Sequence, residues 1–104
     1  MATKTNTLTA NAANTLAVGT TSRSAFFIHW DAERGANSDA GIIQMLASES
    51  YVPYGSAQIE GDACGLFTND PSVTIVGTTV NIVITPDDSD ANDTTLRWDV
   101  YTKL

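Results

Sequence analysis

A two-residue period limits this chain more than any other feature. In "AFFIHWDAERG", residues 25–35, Phe26, Ile28 and Trp30 fall on one side of an extended segment and His29, Asp31 and Glu33 on the other. Successive side chains of a strand point to opposite faces, so this alternation fits a half-buried strand over about residues 24–32. The pattern returns in "TTLRWDVYTKL", with Leu96, Trp98 and Val100 inward and Leu104 continuing the set, while Arg97, Asp99, Tyr101 and Lys103 face outward. A third segment, residues 73–85, predicts its own pairing. If Gly77-Thr78 is a two-residue type II′ loop, Val76 faces Thr79, Ile75 faces Val80, Thr74 faces Asn81 and Val73 faces Ile82. Apolar then meets apolar, so turn and pattern choose one register.

The segments between these strands carry shorter signals. "TLAVGT" places Leu16 and Val18 on one face. "RGANSDAG" is turn chemistry, with two glycines and residues that accept turn conformations. "GIIQMLASES" fits both periods, and its shortness and strand-rich surroundings favour a strand over 41–49. Pro53 breaks the chain, "AQIEG" forms a short strand, and the glycines around Cys64 with Asp70-Pro71 mark irregular connections. "PDDSDAND" makes an acidic tip before the last strand. The expected fold is all-β, an antiparallel sandwich or jelly-roll-like barrel of about seven or eight short strands. Residues 1–12, with Thr3, Thr5, Thr7 and Thr9 on one side and Lys4, Asn6 and Leu8 on the other, form an extended arm or edge strand; residues 13–104 form the single sandwich domain.

Composition narrows the function classes. At 104 residues the chain can bury one core. With 5 Lys plus Arg against 12 Asp plus Glu its formal charge is −7, which repels phosphate and argues against direct nucleic-acid binding. The one cysteine, Cys64, has no partner for an intrachain disulfide. No apolar run reaches the roughly 18 residues of a membrane span, so a soluble chain with no membrane partner is expected.

Three groupings could carry chemistry. His29, Asp31 and Glu33 share a strand face with neighbours roughly 7 Å apart, so His29 and Asp31 could share a metal if a third ligand arrived from elsewhere. Polar alternation is what any half-buried strand shows, and we read the trio as the wet side of a sheet. Asp88, Asp90 and Asn92 follow the first ligand spacing of a calcium loop, but Asp93 stands where that loop needs glycine and Asp99 where it needs glutamate. We read it as a hydrated tip. Cys64 and His29 could pair in principle, yet Cys64 reads as a small core residue. No catalytic residue, metal or cofactor is therefore assigned. Trp30, Trp98, Phe26 and Phe67 read as core. Phe27 and Tyr101 fall on polar sides, either packing on each other across strands or meeting another subunit; Tyr51 and Tyr54 are equally open.

The sequence of elements "AFFIHWDAERG", "GIIQML", "ACGLFTND", "NIVIT" and "DTTLRWDVYTKL" resembles small β domains in virion proteins of tailed bacteriophages, over roughly three-quarters of the chain. The likeness is one of strands and turns, not of a catalytic signature. Fibre proteins carry such domains on a longer chain with a shaft. A short Thr-rich segment followed by the domain alone is closer to a capsid decoration (cement) protein. That resemblance implies a non-enzymatic virion protein, assembled in the host cytoplasm, that binds the major capsid protein or other virion proteins and forms homo-oligomers, trimers by preference. The implied contact residues are Thr5, Thr7 and Leu8, adding strand pairing to a neighbour, with Phe27 and Tyr101. The alternative is a tail or fibre-tip component that recognises a host receptor or glycan through loops 34–41 and 86–94.

Overall fold

A computed structural model of the chain describes residues 3–46, 64–69 and 71–103. Among these residues seven strands follow in order: β1 (Lys4–Leu8), β2 (Asn14–Thr20), β3 (Ala25–Arg34), β4 (Asn37–Leu46), β5 (Ser72–Val76), β6 (Thr79–Ile84) and β7 (Thr94–Lys103). They make a four-stranded sheet ordered β1-β7-β3-β4 and a three-stranded sheet ordered β2-β6-β5, with every pairing antiparallel. The fold is thus all-β, as the period-two segments require, in two sheets consistent with a β-sandwich.

Alternation decides which side of each sheet is inner. From β3, Phe26, Ile28, Trp30 and Ala32 are buried, and β7 contributes Leu96, Trp98 and Val100. Ile28 pairs with Val100, and Trp30 with Trp98, so the two strands lay their apolar residues side by side. The smaller sheet answers with Leu16, Val18, Val80, Ile82 and Ile84. Burying one such side chain contributes about 1.5–3 kcal/mol before entropy is counted. All four aromatics read as core are buried, and the Trp30 and Phe67 rings meet edge to face at 5.2 Å.

The β5–β6 hairpin adopts the register that its turn and pattern predict, including Val76 with Thr79 and Val73 with Ile82. Its Gly77 has φ +62°, as a two-residue hairpin turn of this kind needs. Residues 41–46 are strand, and the strand starts earlier than expected: Asn37–Gly41, read from composition as turn, pair with Trp30–Arg34. Gly35, at φ +60°, reverses the chain in two residues, and the ladder to β3 then holds short polar side chains in extended conformation. The expected short strand at 57–61, the break at Pro53, Tyr51, Tyr54, the end of the 41–49 segment and Leu104 lie outside the described residues.

Two glycines admit close approaches. At Gly19, where the β2–β6 register shifts, a Cβ would stand 2.5 Å from the Phe26 ring. At Gly65, with φ +65°, a Cβ would stand 2.1 Å from the carbonyl oxygen of Asp87, whose N–H donates to the Gly65 carbonyl at 2.8 Å. Backbone on both sides leaves neither partner room to yield. Gly65→Ala should cost at least about 2 kcal/mol, against about 1 kcal/mol for Gly35→Ala, which meets open space and only the left-handed φ penalty. Denaturant midpoints of the two variants check the difference.

Candidate functional site

The outer face of the four-stranded sheet brings together His29, Asp31, Glu33, Arg97, Asp99 and Tyr101. Cross-strand pairing arranges them in rows: Tyr101, Phe27 and Gln44; then Asp99, His29 and Ile42; then Thr5, Arg97, Asp31 and Ala40; then Thr7, Thr95, Glu33 and Ser38. Directly opposite side chains lie about 4.5–5.5 Å apart at Cβ, close enough for rings to touch. Phe27 and Tyr101 are therefore neighbours, and the Tyr101 ring meets His29 edge to face at 4.8 Å. Tyr101 remains 48% exposed.

The next rows form an ion cluster. Arg97 donates from Nε to Asp31 at 2.8 Å and from Nη2 to Glu33 at 2.9 Å. These hydrogen bonds, that to Glu33 foremost, hold the guanidinium pKa above its ordinary value. The side chains are 40–56% exposed, so water screens the cluster and it orders the face more than it stabilises the fold. Both carboxylates of the His29–Glu33 trio are thereby engaged by a cation, and His29 is packed on Tyr101. The trio is the solvated side of a strand. Asp99 differs: its Oδ2 accepts from Thr3 at 3.4 Å, while the buried Oδ1 has no hydrogen-bond partner among the described residues. Among the described residues no group of three His, Cys, Asp or Glu is placed to hold a metal ion.

The acidic tip is organised from within. Asp88 Oδ2 accepts from the Asn92 N–H at 2.8 Å and Oδ1 from the Asp90 N–H at 3.4 Å. Asn11 joins it to the start of the chain, donating to the Asp88 carbonyl at 2.7 Å and accepting from the Asp88 N–H at 3.0 Å. The carboxylate thus takes up the loop's own donors. Those hydrogen bonds, the Asn92 N–H first, hold its pKa below the usual 3.8. A depressed carboxyl stabilises the fold above the unfolded value and loses that contribution as pH falls through the folded one. Stability should therefore drop below about pH 3.8, and Asp88→Asn should flatten that part of the profile in denaturant titrations at stepped pH.

Cys64 sits on the other side of the sheet from His29. It is fully buried, with Sγ 3.6 Å from the Asn37 carbonyl and 3.8 Å from that of Ala32. Burial, then the neighbouring Asp39, pushes its thiol up to about 11. The two halves of a Cys–His pair are not brought together, and the thiol is protonated at neutral pH. Alkylation by iodoacetamide should proceed only after denaturant unfolds the chain; native-state labelling at the unfolded rate would contradict this burial.

Of the expected contact residues, Thr5 and Thr7 are exposed on the outer face, Phe27 is half-buried and Tyr101 exposed. Leu8 does not belong with them. It is 1% exposed and turned into the core opposite Thr94, because its place in the β1 alternation is the inward one. Two residues escaped sequence reading. Arg34 donates from Nη1 to the carbonyls of Cys64 at 2.7 Å and Asp87 at 3.3 Å, and Asp39 accepts from the Cys64 N–H at 2.7 Å. Nothing local marks either role, since every partner is remote in sequence. Arg34, Gly35 and Asn37 also line a polar recess of about 410 Å³ with Asp88, Asp90, Asn92 and Asp93. No family model, curated protein or solved structure matches the chain.

Proposed function

We propose that this chain is a non-enzymatic structural protein of a phage virion, a decoration protein that binds the outer surface of a capsid. The observation that carries the reading is the open outer face of the four-stranded sheet, where Tyr101 stands 48% exposed against Phe27 and His29. An aromatic side chain held in place by its neighbours loses little entropy on docking, which suits it to anchor a contact. Thr5 and Thr7 continue that face to β1, an edge strand whose only partner among the described residues is β7 and which suits strand addition. A coat lattice offers such a contact many times over, so modest individual affinities add. The likeness of strands and turns to small virion domains supports the same partner, the major capsid protein or a neighbour in the particle, and homo-oligomers, trimers by preference. Catalysis has weaker support, since the buried Cys64 thiol and the exposed His29 lie on opposite sides of one sheet.

Co-sedimentation with decoration-free capsids of the parent phage tests the reading. Tyr101→Ala should weaken binding at least about tenfold, or about 1.4 kcal/mol, with an unchanged circular dichroism spectrum. Wild-type protein that stays in the supernatant would sink it. One observation favours a second reading, a tail-tip component that recognises a host receptor or glycan. The turn at Gly35 and the loop carrying Asp88–Asp93 meet around one polar recess, and a glycan array is the corresponding test. The 34–41 loop of that reading is shorter than expected, because Asn37–Gly41 belong to β4.

A further inference from the structure

We propose that the open edge of β5 pairs antiparallel with β5 of a second copy of this chain, about a two-fold axis at Thr74, joining two three-stranded sheets into one. The proposal does not depend on the coat-binding reading, and for the free chain its two-fold contact takes the place of the trimer that the resemblance implies.

Four observations lead to it. First, β5 is an edge strand whose only partner among the described residues is β6, and Ile75 and Val76 are 46% and 70% exposed. Second, it lacks the usual edge protection: "SVTIV" has no charge, no proline and no bulge. The other edges differ, since β1 carries Lys4, β4 carries Asp39 and β2 has a register shift at Ala17–Gly19. Third, the chain has a formal charge of −7, yet β2, β5 and β6 contain no charged residue. A second copy can approach this sheet with the least like-charge repulsion.

The fourth observation is the register. Val76 and Thr79 flank the two-residue turn, so Ser72, Thr74 and Val76 direct their N–H and C=O groups at β6. Val73 and Ile75 direct theirs to the open edge. A two-fold axis at Thr74 sets Val73 opposite the partner's Ile75 and Ile75 opposite the partner's Val73, so all the outward groups of both residues pair reciprocally. The same register puts apolar opposite apolar on the inner side and Thr74 opposite the partner's Thr74 on the outer side. Pro71, which has no N–H, ends the ladder. The contact is isologous and closes on itself, so it yields dimers and not fibres.

Light scattering across a concentration series should show a mass rising to twice the 11.0 kDa chain. Thr74→Lys sets two ammonium groups against each other at the axis and should return the mass to one chain with an unchanged circular dichroism spectrum. Ile75→Pro removes a donor that β6 does not use and should do the same. Thr15→Lys, on the opposite edge of the same sheet, should leave the dimer intact. A wild-type chain that stays at single-chain mass overturns the proposal, as does an assembly of any size that survives both Thr74→Lys and Ile75→Pro.

Discussion

Everything in the larger sheet is set by the pairing of β3 with a neighbour on each side. Ala25–Arg34 pair along their whole length with β4, and Ala25–Glu33 with β7. A strand alternates its side chains strictly, so slipping either neighbour by one residue would carry Trp98 or Met45 to the solvent face and Arg97 or Gln44 into the core. The cost of that exchange, an unpaired charge in an apolar layer and a large hydrophobe in water, is what holds the register. The rows of the outer face follow from it: Tyr101 meets Phe27 and Arg97 meets Asp31 because Trp98 meets Trp30.

Burial alone does not finish the sandwich. Cys64, Leu66 and Phe67 are buried against the sheets, and the backbone that carries them needs partners for its polar groups. Asp39 accepts the Cys64 N–H, Arg34 donates to the Cys64 carbonyl, and the Asp87 N–H donates to Gly65. The turn between β3 and β4 is thereby tied both to the segment at Cys64 and to the acidic loop. The arrangement explains why a thiol in this chain is a packing group: the same contacts that bury it keep it protonated.

The two sheets divide the labour of the surface. Charge is concentrated on the four-stranded sheet and the loops, with Arg97 held between Asp31 and Glu33 and Asp88 capping its own loop. The three-stranded sheet is covered by short uncharged side chains. The molecule thus has two unlike faces, one aromatic and bordered by ions, the other neutral and ending at β5, whose partner among the described residues is β6 alone.

Period-two alternation and turn chemistry act between residues near in sequence, which is why "AFFIHWDAERG", the Gly77-Thr78 hairpin and "TTLRWDVYTKL" were legible as strands with their inward faces assigned. The inward place of Leu8 was legible in the same way, although its expected role as a contact ignored it. The length of β4 was not, because Asn37–Gly41 are strand only through their ladder to β3. The division of strands between sheets, the seat of Arg97 between two carboxylates, and the clamp of Arg34 on Cys64 and Asp87 were not legible either. Each joins residues far apart in the chain. Which side chains face inward was readable from local order alone, because it follows from backbone geometry one residue at a time. Outside the Gly77-Thr78 hairpin, whose turn sets its own register, which of them meet is settled only when all the inward faces are buried at once, because strand order and long-range register join residues far apart in the chain.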